Sequence, residues 1–180
     1  MKILYGIQGT GNGHISRGEF IYNILKRYSK HIDVLISGEN YSLNPNIPIK
    51  YKNKGVTFSV KNGQIDYLQT LMNFDVVTSY LEQREVPFYK YNLIITDFEP
   101  ITAWGSVRYK IPSIHISHQA SFLDVNSPRP SFKNIIGESI MKYFCPTGDY
   151  IGLHYKRYGS QISEPIISKE IQLCNPVLKD

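Results

Sequence analysis

A chain of 180 residues with 42% hydrophobic side chains has the length of one full domain, able to bury about 70% of the surface its unfolded form exposes, and needs no disulfide framework to hold a core. Its two cysteines, Cys145 and Cys174, have neither C-x-x-C spacing nor a nearby histidine, which argues against zinc and suits a reducing compartment. A net charge of +5 admits nucleic acid, an anionic bilayer or acidic ligands, but the lysines are scattered; the nearest thing to a cluster, Lys50, Lys52, Lys54 and Lys61, reads as the solvated face of a strand pair around Asn53-Lys54-Gly55, so no nucleic acid is expected.

The chain opens with the apolar run Ile3-Leu4-Tyr5, which enters Gly6-Ile7-Gln8-Gly9-Thr10-Gly11-Asn12-Gly13-His14. A strand feeds a glycine-rich turn that opens a helix. Alternating glycines let the backbone take positive φ and bring its N–H groups to a ligand, and the helix adds its positive N-terminal end, so the turn suits an anion or an oxygen-rich group. It is not a good dinucleotide fingerprint: counted from Gly9, the sixth position is His14, and the acidic residue expected about 20 positions on is met only by Glu39, somewhat late. Nor is it a P-loop, because no Gly-Lys-Ser/Thr closes it and no lysine follows before Lys26. A titratable group at the mouth of the helix, His14, points to chemistry beside the binding.

Phe20, Ile21, Ile24, Leu25 and Tyr28 then recur at helical spacing, and the run Ile32 to Ile36 ends at Ser37-Gly38, completing a βαβ unit. Residues 41 to 63 are turn-rich, with short strands expected at Ile47 to Tyr51 and Val56 to Val60. A helical stretch follows with Ile65, Leu68, Met72, Val77, Tyr80 and Leu81. Leu93-Ile94-Ile95 reads as a buried strand ending at Thr96-Asp97, and Pro100 suits the first turn of a helix with Ala103, Trp104 and Val107. Ser113 to Ser117 is the next strand, Phe132, Ile135, Ile136 and Ile140 mark a helix, and Tyr150 to Tyr155 a strand with Ile151, Leu153 and Tyr155 alternating.

This rhythm predicts an α/β fold with a Rossmann-like, doubly wound, mostly parallel sheet and helices on both faces. In such a sheet the ligand crevice lies outside the carboxyl ends of the strands. Chemistry gathers at those ends: Gly9 to His14, Asp97 to Glu99, and His118-Gln119. No run approaches the roughly 18 apolar residues that a membrane span requires, and the N-terminus reads as a strand rather than a signal peptide, so a cytoplasmic protein is expected.

The stretch Gly9-Thr10-Gly11-Asn12-Gly13-His14-Ile15-Ser16-Arg17, with Ile95-Thr96-Asp97-Phe98-Glu99-Pro100 and His118-Gln119, resembles the N-terminal half of GT-B glycosyltransferases. It is similar to predicted teichoic-acid-type enzymes and more distantly to glycosyltransferase family 28, over nearly the whole chain. The resemblance implies a Rossmann-like acceptor-binding domain over residues 1–172, with 173–180 starting the linker to a C-terminal donor-binding domain or leading to a partner subunit. It also implies transfer from a UDP- or GDP-sugar co-substrate to a glycan, lipid-linked or polyol-phosphate acceptor, with no cofactor or metal, and an isolated 180-residue chain that is inactive. Aromatic richness and positive charge fit peripheral attachment at the inner face of the cell membrane.

By the same resemblance His14 is the base that takes the acceptor proton, and Asp97 orients its ring and stabilises the imidazolium. Gly9, Thr10, Gly11, Asn12, Gly13, Ser16, Arg17, Glu99, His118 and Gln119 are the candidates for holding acceptor or phosphate. Alternatives stay open. His14 could only hydrogen-bond a sugar or phosphate while Glu99 is the base; Asp97 could cap the following helix; Arg17 could be solvated; and Asp97-Phe98-Glu99 could be a D-x-D-like metal site, against which the proline and the lack of further carboxylates count. The loop Ala120 to Pro130 is a candidate mobile acceptor lid, His118 could equally be structural, and His115 reads as a buried structural histidine. Two other function classes remain: a non-catalytic docking subunit of a split glycosyltransferase, and a nucleotide-cofactor-binding oxidoreductase domain.

Overall fold

The computed structural model describes residues 1–56, 60–61, 64–65, 76–129, 135–167 and 173–174. In chain order the elements are β1 (Lys2–Thr10), α1 (Asn12–Leu25), β2 (His31–Asn40), β3 (Ile49–Asn53), the two-residue strands β4 (Val60–Lys61) and β5 (Gln64–Ile65), α2 (Val76–Glu85), β6 (Leu93–Asp97), α3 (Pro100–Tyr109), β7 (Ser113–Ser117), α4 (Ile135–Tyr143), β8 (Asp149–Leu153) and β9 (Ile162–Ser163). Single 3-10 turns lie at Phe88–Lys90 and Gln119–Leu123. Among the described residues, no helix is long and apolar enough to cross a membrane.

Burial from Ile3 to Gly9 without a break marks β1 as a strand covered on both faces, as a central parallel strand must be. It pairs in parallel with β2 on one side and β6 on the other, within a seven-stranded parallel sheet ordered β3-β2-β1-β6-β7-β8-β9. The chain thus winds outward from β1 through α1 to β2, and outward the other way from β6 through α3 to β7. The switch point lies between β1 and β6, where a crevice opens at the carboxyl edge.

Side-chain alternation along β1 divides the core. Ile3, Tyr5 and Ile7 point to one face, with Val34, Ile36 and Ile95, and are covered by Ile15, Ile21 and Tyr22 of α1. Leu4 points to the other with Leu35 and Ile94, against Ile101 of α3 and Val86, Phe88 and Tyr91. Each large apolar side chain so buried contributes about 1.5–3 kcal/mol.

The fold is the doubly wound one expected, with local corrections. β2 runs on to Asn40, and the buried set on α1 includes Gly18 while Tyr28 lies beyond the helix and is exposed. β3 is shifted two residues from its expected start and joins β2 in parallel, with Lys50 and Lys52 exposed along the sheet edge; of the strand expected at Val56 to Val60, residues 57–59 fall outside the described residues. In β8 the alternating apolar residues do not form the buried face, since Ile151 is half-exposed and Tyr155 lies past the strand end, exposed. The expected helical positions Leu68, Met72 and Phe132, and the linker at 175–180, fall outside the described residues.

The start of α3 separates two acids that sequence alone treats alike. Phe98 adopts a left-handed φ of 54°, which costs about 1 kcal/mol or more and turns the chain sharply after β6. Its buried ring packs with Ala103 and Cys145. Glu99 is then the N-cap of α3: its Oε1 accepts from the Ile101 N–H (2.8 Å) and the Ser37 hydroxyl (2.6 Å), and its Oε2 from the Thr102 N–H (2.7 Å) and hydroxyl (2.6 Å). Burial pushes the Glu99 carboxyl above its ordinary value, and these bonds work against that shift. The cap assigned as an alternative to Asp97 therefore belongs to Glu99, which is 0% exposed. Glu99→Ala should cost about 2–4 kcal/mol, by losing the cap and stranding buried donors; urea unfolding with an unchanged m-value checks this, and a cost under about 0.5 kcal/mol would refute the capping role.

Candidate active site at the strand ends

β1 and α1 are joined through Gly11, whose φ of 92° and ψ of 155° suit glycine and whose N–H donates to the Asn40 carbonyl at 2.7 Å. No atom lies within 4 Å of where a Cβ would stand at Gly11 or Gly13, so there is open space above the start of the helix. Gly9 has a different reason: a Cβ there would meet the Gly38 carbonyl oxygen at 2.5 Å, so it serves the close approach of β1 and β2.

Not every candidate faces that space. The Thr10 hydroxyl accepts from Gln8 Nε2 at 2.7 Å. Asn12 holds the loop after β2, its Oδ1 accepting from the N–H groups of Ser42 (2.9 Å) and Leu43 (3.1 Å). Ser16 is exposed, in the second turn of α1.

His14 and Arg17, three residues apart on α1, share one face of the helix and reach the same carboxylate. Asp97 is 0% exposed, while the side chains of His14 and Arg17 are 11% and 8% exposed. His14 Nδ1 lies 2.8 Å from Asp97 Oδ1. Arg17 donates through Nε to Oδ2 at 2.8 Å and through Nη2 to Oδ1 at 2.5 Å. Arg17 is thus not solvated: its side chain is 8% exposed and its guanidinium is bound to Asp97. Gln119, from the turn after β7, brings its Nε2 within 3.4 Å of His14 Nε2. The strand ends of β1, β6 and β7 meet at this histidine.

Burial alone would raise the Asp97 carboxyl, but the charges and hydrogen bonds of His14 and Arg17 outweigh it and hold Asp97 below its ordinary value. Burial likewise works against the Arg17 charge, and Asp97 raises Arg17 further despite it. Tyr5, buried beside the pair, is pushed well up by burial and then by Asp97. His115 is buried, stacks on Phe98 and shares a 2.7 Å contact between its Nε2 and the Ser117 hydroxyl; burial brings it down to about 4, so it stays neutral. His118 contacts the Leu153 carbonyl through Nδ1 at 2.8 Å, and burial lowers it too.

The expected lid is anchored over much of its length. Ala120 and Ser121 are buried, the Ala120 N–H donates to the Ser117 hydroxyl, and the Ser127 hydroxyl donates to the Ser121 carbonyl at 2.5 Å. Val125 is the exposed tip, and Pro130 lies outside the described residues. The D-x-D-like reading also fails on geometry: Asp97 binds His14 and Arg17, whereas Glu99 binds the start of α3, so the two carboxylates serve separate sites. Among the described residues no three His, Cys, Asp or Glu side chains are grouped to hold a metal ion. Two features escaped the sequence reading. Tyr5 looks like any strand residue, but the i, i+3 spacing of His14 and Arg17 was a usable signal for their shared partner.

A carboxyl group that holds its proton less tightly in the folded chain stabilises the fold above its unfolded value of about 3.9, and loses that contribution as pH falls through the lower folded value. Asp97→Asn should therefore cost about 3–5 kcal/mol at pH 7, by leaving the buried Arg17 uncompensated. The gap between variant and wild type should narrow below about pH 4. Denaturant unfolding at several pH values measures it, and a gap independent of pH would contradict the assignment.

A family model described as Glycosyl transferase family 1 matches residues 1–173. Comparison with curated proteins finds no match. The family match spans every strand of the parallel sheet and all of His14, Arg17, Asp97 and Gln119, and the sheet is the Rossmann-like half of a GT-B fold. A glycosyltransferase accounts for both, and the chain belongs to glycosyl transferase family 1.

Proposed function

We propose that this chain is the acceptor-side half of a GT-B enzyme that transfers a hexosyl unit from a UDP- or GDP-sugar to a glycan, lipid-linked or polyol-phosphate acceptor, with His14 as general base. The observation that carries this reading is the 2.8 Å contact between His14 Nδ1 and the buried Asp97 carboxylate at the switch point of the sheet. With Nδ1–H donated to Asp97, Nε2 is the atom left to take a proton. Gln119 Nε2 lies 3.4 Å from it, and the space next to Gly11 and Gly13 at the start of the same helix is open.

In the step itself the acceptor oxygen attacks the anomeric carbon as its proton passes to His14 Nε2. The bond from that carbon to the diphosphate oxygen breaks, and the nucleotide diphosphate leaves with the electron pair. Asp97 stabilises the imidazolium that forms. The donor sugar is held by a second α/β half, carried on the same polypeptide beyond a linker at 173–180 or by a partner subunit. Exposed Trp104, Val107 and Tyr109 on α3, with Tyr89 nearby and Lys90 and Arg108 over the tyrosine rings, support peripheral contact with an anionic inner membrane face.

In the enzyme with its donor-binding half, His14→Ala should lower kcat about a hundredfold or more in a chain that still folds, with its unfolding midpoint lowered by the loss of one donor to the buried Asp97; full turnover in that variant would remove His14 from the chemistry. Transfer should also survive excess chelator, because Asp97 and Glu99 are each committed to protein partners. Loss of activity restored by manganese would overturn that expectation.

A further inference from the structure

We propose that Arg17 is a positioning residue for the His14 base, acting through Asp97. The proposal rests on the transferase reading only for its kinetic test. Arg17 grips Asp97 with a two-pronged fork, Nε to Oδ2 at 2.8 Å and Nη2 to Oδ1 at 2.5 Å. The fork fixes the plane of the carboxylate, and so the direction from which Oδ1 accepts the His14 Nδ1–H at 2.8 Å. A proton on Nε2 instead would set two acceptors, Nδ1 and Oδ1, face to face at that distance. Arg17 Nη2, 3.0 Å from Nδ1, directs its proton to the same Oδ1, so both nitrogens can donate to that oxygen; the ring then keeps its proton on Nδ1 and leaves Nε2 as an acceptor, with Gln119 Nε2 3.4 Å away.

Arg17 also sets the charge around the ring. Its Nη2 lies 3.0 Å from Nδ1, so a full positive charge sits against the imidazole. A lone buried carboxylate would draw a second proton onto the ring and spoil it as a base, but Arg17 already balances Asp97. Among the described residues, the other titratable groups near this cluster are Tyr5 of β1, His115 of β7, His118 beyond it and Cys145; Tyr5 and Cys145 are raised and both histidines are lowered, which keeps all four uncharged near pH 7. Gln119 is uncharged by nature. The opposite charges of Asp97 and Arg17 cancel, and taking up the acceptor proton on His14 adds one positive charge to the cluster. That charge appears on the acceptor side of the anomeric carbon, beside Asp97, which stabilises it.

Arg17→Met removes charge and fork together, whereas Arg17→Lys keeps the charge alone. In the enzyme with its donor-binding half, Arg17→Met should move the acidic limb of the kcat/KM profile up by about one pH unit or more. It should also lower kcat at pH 7 about tenfold or more while acceptor and donor KM stay within about threefold. Arg17→Lys should return the limb to its wild-type position with kcat still reduced. An unmoved limb in Arg17→Met overturns the proposal, as does a raised acceptor KM with kcat intact, which would make Arg17 a substrate ligand. If Arg17→Met does not fold, side-chain nitrogen NMR of the wild-type protein decides: Nδ1 of His14 protonated and Nε2 bare at neutral pH supports the proposal, and a proton on Nε2 overturns it. That readout needs no turnover, so it separates failure of the clamp from failure of the transferase reading.

Discussion

Asp97 is a carboxylate with no exposed surface, and the carboxyl edge of the sheet is organised around keeping it charged. Removing such an ion from water costs several kcal/mol, recovered only where close, well-oriented donors surround it. The fork of Arg17 and the ring of His14 supply them from one face of α1. The helix must therefore begin where it does, directly after the turn at Gly11, because a start one residue later would rotate both side chains by about 100° away from the strand.

The contrast with Glu99 shows how much environment decides. A single residue separates the acids, and both are fully buried. Glu99 lies against the N-terminus of α3 among backbone and hydroxyl donors, with no cation among its bonded partners, and burial raises it. Asp97 faces α1, bonds an arginine and a histidine, and is lowered. The left-handed Phe98 between them makes the turn, and the burial of its ring against Ala103 and Cys145 offsets the strain of that conformation. One acid holds a helix and the other holds the base, so the D-x-E spacing has no common ligand.

Much of the fold was legible because its signals are local. Apolar runs at Ile3, Leu93 and Ser113, each followed by helical spacing or a proline-started helix, mark a doubly wound sheet whatever the detail of packing. Where the signal was weak, the reading slipped. β3 is a half-exposed edge strand whose lysines alternate with residues packed inward, and an exposed hairpin has the same pattern. β8 failed for a related reason: its buried residues are Gly152 and Leu153, next to each other, and glycine carries no hydrophobic signal.

The amino-acid sequence by itself determined that a glycine-rich turn joins the first strand to a helix, that His14 stands at its mouth, and that Asp97 and Gln119 lie at the ends of later strands. These follow from composition and spacing, which act over a few residues. Only the tertiary structure decided which of those groups touch. Arg17 carries a long side chain that could end in solvent or in the interior, and packing beneath α1 settled the choice. Asp97 and Glu99 part because a single positive φ at Phe98 sends them to different neighbours, Asp97 to His14 and Arg17 and Glu99 to the start of α3. Charge, tautomer and proton affinity depend on contacts between residues about eighty positions apart, and no local pattern encodes them.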